Sequence, residues 1–159
     1  MIADVTTKRI ASFALAASAA ASVAVAGIAP ALAGPTTVAK AAVTTRHTSL
    51  GTFLVDGKGR TLYLFQKDKR NVSKCGTQCV AVWPAALAPR GVVAKGSAKQ
   101  SLLGRIKRSD GTWQITYAGH PLYRYSADTK VGQVRGQGVN SFGASWYVVQ
   151  PSGSKIDND

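Results

Sequence analysis

Gly51-Thr52-Phe53-Leu54-Val55-Asp56-Gly57-Lys58-Gly59-Arg60-Thr61-Leu62-Tyr63-Leu64-Phe65-Gln66-Lys67-Asp68 decides the fold, because the chain contains it twice. Slid by 60 residues without a gap, it falls on Gly111-Thr112-Trp113-Gln114-Ile115-Thr116-Tyr117-Ala118-Gly119-His120-Pro121-Leu122-Tyr123-Arg124-Tyr125-Ser126-Ala127-Asp128, and six of the 18 pairs are identical. Phe53 with Trp113, Val55 with Ile115 and Phe65 with Tyr125 keep their character. Each copy reads as a β-hairpin. Phe53 and Val55 alternate with Leu54, Asp56-Gly57-Lys58-Gly59 supplies a turn, and residues 61–65 form a β-branched and aromatic return strand. The second copy repeats this with a strand at 112–117, an Ala118-Gly119 turn and a return strand at 122–125, where Pro121 suits a strand start.

Further strands are expected at residues 102–108, which enter the second hairpin through Ser109-Asp110-Gly111, and at 146–150. Helical pattern is confined to residues 80–87, and Pro84 limits it to a turn or two. The expected fold is therefore all-β or β-rich: an antiparallel sheet built from two hairpin repeats, about 48–87 and 102–151, related by a pseudo-twofold. Neither hairpin alone buries its aromatic face, so packing the copies together makes the core.

Outside this unit the chain reads as processing signal and flanks. Lys8-Arg9, an Ala/Val-rich apolar run over residues 10–29 and Ala31-Leu32-Ala33 make a signal peptide, residues 1–33, with cleavage expected after Ala33. Neither cysteine lies near that site, so lipid anchoring is not expected. Residues 34–45 lack aromatics and a consistent period and read as a flexible leader, leaving a single β domain at 46–151 and a disordered tail at 152–159. The 159-residue chain has 20 Lys+Arg against seven acids, all Asp, for a net charge of +13. Paired-glutamate chemistry is excluded. Cleavage leaves 18 basic side chains against six Asp, or +12, which spreads a positive field over a small body. Export removes nucleic acid as the default partner and favours an anionic cell-wall polymer or membrane surface, met by a monomer.

The sequence Tyr-x-aromatic-x-x-Asp occurs as Tyr63, Phe65, Asp68 and as Tyr123, Tyr125, Asp128. Residues two apart on a strand face the same side, so each copy presents a like-facing aromatic pair. Each Asp lies past the strand end, placed to accept backbone N–H groups of the next loop or to reach a Tyr hydroxyl. The motif is expected to be mainly structural, since two isolated Asp residues supply too few oxygens for a Ca²⁺ cage.

Both motif copies occur together with Cys75-Gly76-Thr77-Gln78-Cys79 leading to Trp83-Pro84, Gly119-His120-Pro121-Leu122-Tyr123, and Gly136-Gln137-Gly138 leading to Trp146. In this combination the chain resembles bacterial secreted repeat proteins and predicted lipoproteins named for a conserved Tyr-x-(Phe/Trp/Tyr)-x-x-Asp motif. The resemblance spans about residues 48–151. It implies an exported, envelope-associated protein and carries no assigned activity. The lipidated cysteine of the lipoprotein members is missing here.

Cys75 and Cys79 are the only cysteines, and in an oxidising compartment a disulfide is the default. A redox dithiol is the alternative, giving an exported thiol/disulfide or electron-transfer-associated protein, but the spacing is not C-x-x-C. No metal or other cofactor is expected, because His47 and His120 are distant in sequence and no ligand cluster accompanies them. Ser141 and Ser145 lack a G-x-S-x-G elbow, so no enzyme is expected. Residues 132–138 are glycine-rich without a following helix and read as a flexible loop. The densest basic patches, Lys67, Lys69 and Arg70 beside Lys74, and Arg105, Lys107 and Arg108, are the anion-binding candidates. Arg105 and Lys107 should face one side of their strand, and Ile106 and Arg108 the other.

Overall fold

The computed structural model describes residues 39–157. The signal peptide over 1–33, its cleavage after Ala33, residues 34–38 of the leader and 158–159 of the tail lie outside the described residues. Among the described residues nine strands make three sheets of three strands each, so the β-rich class holds.

In the first sheet β1 (Ala41–Thr48) pairs antiparallel with β2 (Gly51–Asp56) and parallel with β4 (Val92–Ala94). The second joins β3 (Tyr63–Phe65), β9 (Ala144–Val148) and β8 (Asn140–Ser141). The third joins β5 (Leu103–Lys107), β6 (Trp113–Tyr117) and β7 (His120–Pro121), with a 3₁₀ turn at Gln100–Leu102 leading into β5.

Both hairpin turns form where expected, but the return strands leave their hairpins. After the Asp56–Arg60 turn, Leu62 still donates its N–H to Leu54, whereas Tyr63–Phe65 pairs with Trp146–Val148 from the end of the chain. In the second copy β7 is only two residues long, and Tyr123 then bridges Tyr63 and Ala85. The two copies are thus stitched through their return segments.

Three boundaries differ from the sequence reading. Residues 41–45 are not leader but the start of β1, where Val43 is fully buried and Ala41 N–H donates to the Gly91 carbonyl. Short Ala, Val and Thr side chains conceal the strand, because its partners β2 and β4 supply the bulk. Of the tail, Lys155 bridges Val149 and Ile156 is buried, so residues 152–157 fold back on the body and the domain extends beyond 46–151 at both ends. The helix, α1, spans Thr77–Val82 rather than 80–87, since Pro84 and the extended pairing of Ala85 with Tyr123 claim the later residues.

Strand alternation divides the core into two clusters. Leu54, Leu62, Leu64, Tyr147 and Val149 face one, while Phe53, Val55, Tyr63, Phe65, Trp146 and Val148 face the other. Both faces of the central strands are covered. At about 1.5–3 kcal/mol for each fully buried large apolar side chain, this double burial is the main stabilising term.

Candidate functional site

Each motif tyrosine reaches the aspartate of the other copy. Tyr63 donates its hydroxyl to Asp128 Oδ2 at 2.6 Å, and Tyr123 donates to Asp68 Oδ2 at 2.7 Å. The second oxygen of each Asp ties down its own loop: Asp68 Oδ1 accepts the Lys74 N–H at 2.6 Å, and Asp128 Oδ1 accepts the Arg135 N–H at 2.9 Å. Burial raises both carboxyls, Asp68 to about 6, against the lowering pull of these hydrogen bonds. It also raises both tyrosine hydroxyls, with the facing carboxylates adding to the shift. The tyrosines therefore stay protonated donors.

The aromatic partners of the motif close the ends of a four-ring stack. Phe65 lies on Trp146 at 4.1 Å, Trp146 on Trp83 at 3.9 Å and Trp83 on Tyr125 at 4.1 Å between centroids. Tyr63 meets Trp83 edge-on at 5.4 Å and Tyr123 meets Trp146 edge-on at 5.1 Å. The two copies thus make the same contacts with the tryptophans exchanged. Such pairs add about 0.5–1.5 kcal/mol each to the area they bury. Gly136 sits against this stack, where an added Cβ would lie 2.8 Å from Trp83 ring carbons, and its N–H donates to the Tyr63 hydroxyl at 3.2 Å. The glycine-rich segment is accordingly held to the core along its length from Arg135 to Gly138, whose N–H reaches the Trp146 carbonyl.

Cys75 and Cys79 form a disulfide across the start of α1, with Cα atoms 5.1 Å apart. Both residues are buried and pack in the aromatic cluster. A groove of about 670 Å³ borders the bridge at Cys75, lined among others by Lys74, Thr77, Lys107, Arg108 and Asp110. A second, of about 360 Å³, borders it at Cys79 with Lys67, Lys74, Gln78 and Phe142.

The basic candidates separate by role. Lys67, Lys69, Arg70, Arg105 and Lys107 are exposed. Arg105 is nevertheless engaged, donating to the carbonyls of Ala88 and Pro89 at 2.8 and 3.1 Å and lying 4.9 Å from the Trp113 ring. Arg70 covers Gly119, and burial, with a smaller contribution from Arg70, lowers the His120 pKa. Arg108 turns inward, as strand alternation required. Its side chain is 9% exposed, donating to Ser73 Oγ at 2.9 Å, Gln114 Oε1 at 2.6 Å and the Cys75 carbonyl at 2.8 Å. Its interior bonds argue against a role in anion binding.

Three participants escaped the sequence reading. Ser73 links Arg108 to the Tyr123 hydroxyl at 2.7 Å, and buried Gln114 joins Arg108 to the Leu122 carbonyl. A lone Ser in a basic loop and a Gln on a strand carry no signal of their own. Phe142 occupies a left-handed turn position, φ 58°, ahead of Gly143 between β8 and β9, and Lys67 donates to its carbonyl at 3.1 Å. A phenylalanine is atypical at a site that favours Asn or Gly.

The sequence profile of a secreted repeat of unknown function matches residues 44–87 and 104–150, one match for each copy. The chain belongs to this family of secreted repeat proteins. A search of curated proteins and a search of solved structures each find no match.

Proposed function

We propose that the protein is a non-catalytic envelope or extracellular module that holds anionic polymer on the lysine face around its disulfide loop. The observation that carries this reading is convergence: Lys67 follows β3, Lys74 precedes the bridge and Lys107 ends β5, yet together they border the two grooves flanking Cys75 and Cys79. Among the described residues lining these grooves Asp110 is the single carboxylate, and it is occupied by Thr112 and Arg108. A surface of one sign attracts polyanions over the screening length, about 8–10 Å near physiological salt.

The bridge serves this reading by fixing the loop that carries Lys74. By the loop-closure argument so short a ring adds about 2 kcal/mol. The reciprocal motif contacts support a pseudo-twofold relation between the halves, with the motif as their lock rather than as a ligand site. The module acts as a monomer, without cofactor, against wall polymer or the membrane surface.

Retention of the purified protein on phosphate-bearing wall polymer, followed across a salt gradient, tests the reading. The Lys67→Gln/Lys74→Gln/Lys107→Gln variant should elute at clearly lower salt with an unchanged melting temperature. Elution at the wild-type position would overturn it.

A further inference from the structure

A separate cleft of about 260 Å³ lies beside the Asp56–Arg60 turn, bordered by Asp56, Lys58, Arg60, Leu87, Ile115 and Arg124. Its charges do not balance. Asp56 Oδ2 is taken by Arg60, whose Nε and Nη2 both lie 2.7 Å away, and Oδ1 accepts the N–H groups of Lys58 and Arg60 at 2.9 and 3.0 Å. The single carboxylate among the described residues of the cleft thus faces three cations, and its ion pair is with Arg60 rather than with Lys58 or Arg124.

Arg124 is the group that demands a partner. It is only partly exposed, its Nε is buried with no hydrogen-bond partner, and Nη2 has one long contact, 3.4 Å, to the Ala85 carbonyl. Burial and the neighbouring Arg60 disfavour its charged form, against the opposing pull of Asp56. A partly desolvated guanidinium with unused donors is costly, and its planar fork matches a carboxylate or phosphate. The rest of the cleft is apolar: buried Ile115 forms part of the floor, and Leu87 is 44% exposed at the edge.

We propose that this cleft binds a small organic anion, its carboxylate or phosphate on Arg124 with Lys58 at the rim, and its short apolar portion against Leu87 and Ile115. The volume suits a chain of a few carbons rather than a polymer, so the site is distinct from the lysine face.

Calorimetric titration of the purified protein with four probes tests this: hexanoate, hexyl phosphate, uncharged hexanamide and inorganic phosphate. Saturable binding of hexanoate or hexyl phosphate is expected, with hexanamide and inorganic phosphate weaker by at least about tenfold, the loss set by removing either the charge or the apolar contact. Arg124→Gln should cost at least about tenfold in affinity, while Lys67→Gln/Lys107→Gln leaves binding unchanged. Leu87→Glu, which places a carboxylate at the exposed edge without altering Arg124, should also abolish binding and serves if Arg124→Gln fails to fold. Absence of saturable binding by wild type, equal binding of inorganic phosphate, or binding that survives Leu87→Glu would overturn the proposal.

Discussion

Tyr63 and Tyr123 exchange both backbone hydrogen bonds, each N–H donating to the other's carbonyl at 2.8 and 2.9 Å, while each hydroxyl reaches the aspartate that follows the other. Neither repeat satisfies its own motif. A buried hydroxyl and a buried carboxylate are costly when unpaired, so the polar part of the motif is satisfied only when both copies are folded together, and the four-ring stack forms under the same condition.

Double-mutant cycles should therefore couple across the repeats. Tyr63→Phe leaves Asp128 Oδ2 without its donor and should cost about 1–3 kcal/mol, and Tyr63→Ala about 3–5 kcal/mol through loss of a buried aromatic. In denaturant melts, Tyr63→Phe should show coupling of about 0.5–3 kcal/mol with Asp128→Asn and less with Asp68→Asn. Stronger coupling within one copy would refute the exchange.

The Asp68 carboxyl gives the fold a pH dependence of defined sign. Its value is raised to about 6 by burial, so its contribution is fully present below the unfolded value of about 4 and is lost as pH rises through about 6. Asp128 acts in the same direction. His120, lowered by burial and Arg70, opposes them: its contribution is present above about 6.5 and fades as pH falls. The groups around Asp68 are Tyr123, Lys74, Arg108 and, across a shared cleft, His120 and Lys155. Comparison with Asp68→Asn removes the other titrations. The Asn variant should gain stability relative to wild type as pH rises from about 4 to 7, and a difference that stays constant over that range in urea midpoints would contradict this.

Two glycines of one loop should respond differently to alanine. At Gly136 the new methyl meets Trp83 and Tyr63 at 2.8 and 2.9 Å, so Gly136→Ala should cost about 1–3 kcal/mol by overpacking and alter tryptophan emission. At Gly138, φ 70° with open space around it, the cost is left-handed strain alone, about 1–2 kcal/mol, and the emission should be unchanged.

What the sequence revealed was the part carried by repetition and alternation. The two copies, their turns, the Cys75–Cys79 bridge and the two faces of residues 105–108 follow from local pattern. What escaped depended on partners distant in the chain. Residues 41–45 become a strand only because β2 and β4 flank them, and the tail through Ile156 is ordered by Val148 and Val149. The motif's chemistry was half visible: each Asp serves both its own loop and a tyrosine, but that the tyrosine belongs to the other copy is a matter of topology. Ser73 and Gln114 became recognisable only through Arg108.

Lys107 and Arg108, adjacent in sequence and equal in charge, should separate binding from stability. Lys107 is exposed on a groove wall, so Lys107→Gln should leave the melting temperature within experimental scatter while reducing retention on anionic polymer, more at low salt than at high. Arg108 joins β5 to Ser73, Gln114 and the Cys75 carbonyl. Its loss leaves buried acceptors unpaired, so Arg108→Gln should destabilise by about 2–4 kcal/mol and alter retention only through unfolding. Thermal melts run beside salt-gradient retention read both effects. If Arg108→Gln melts like wild type but elutes early, its inward bonds are dispensable and the residue belongs to the binding face.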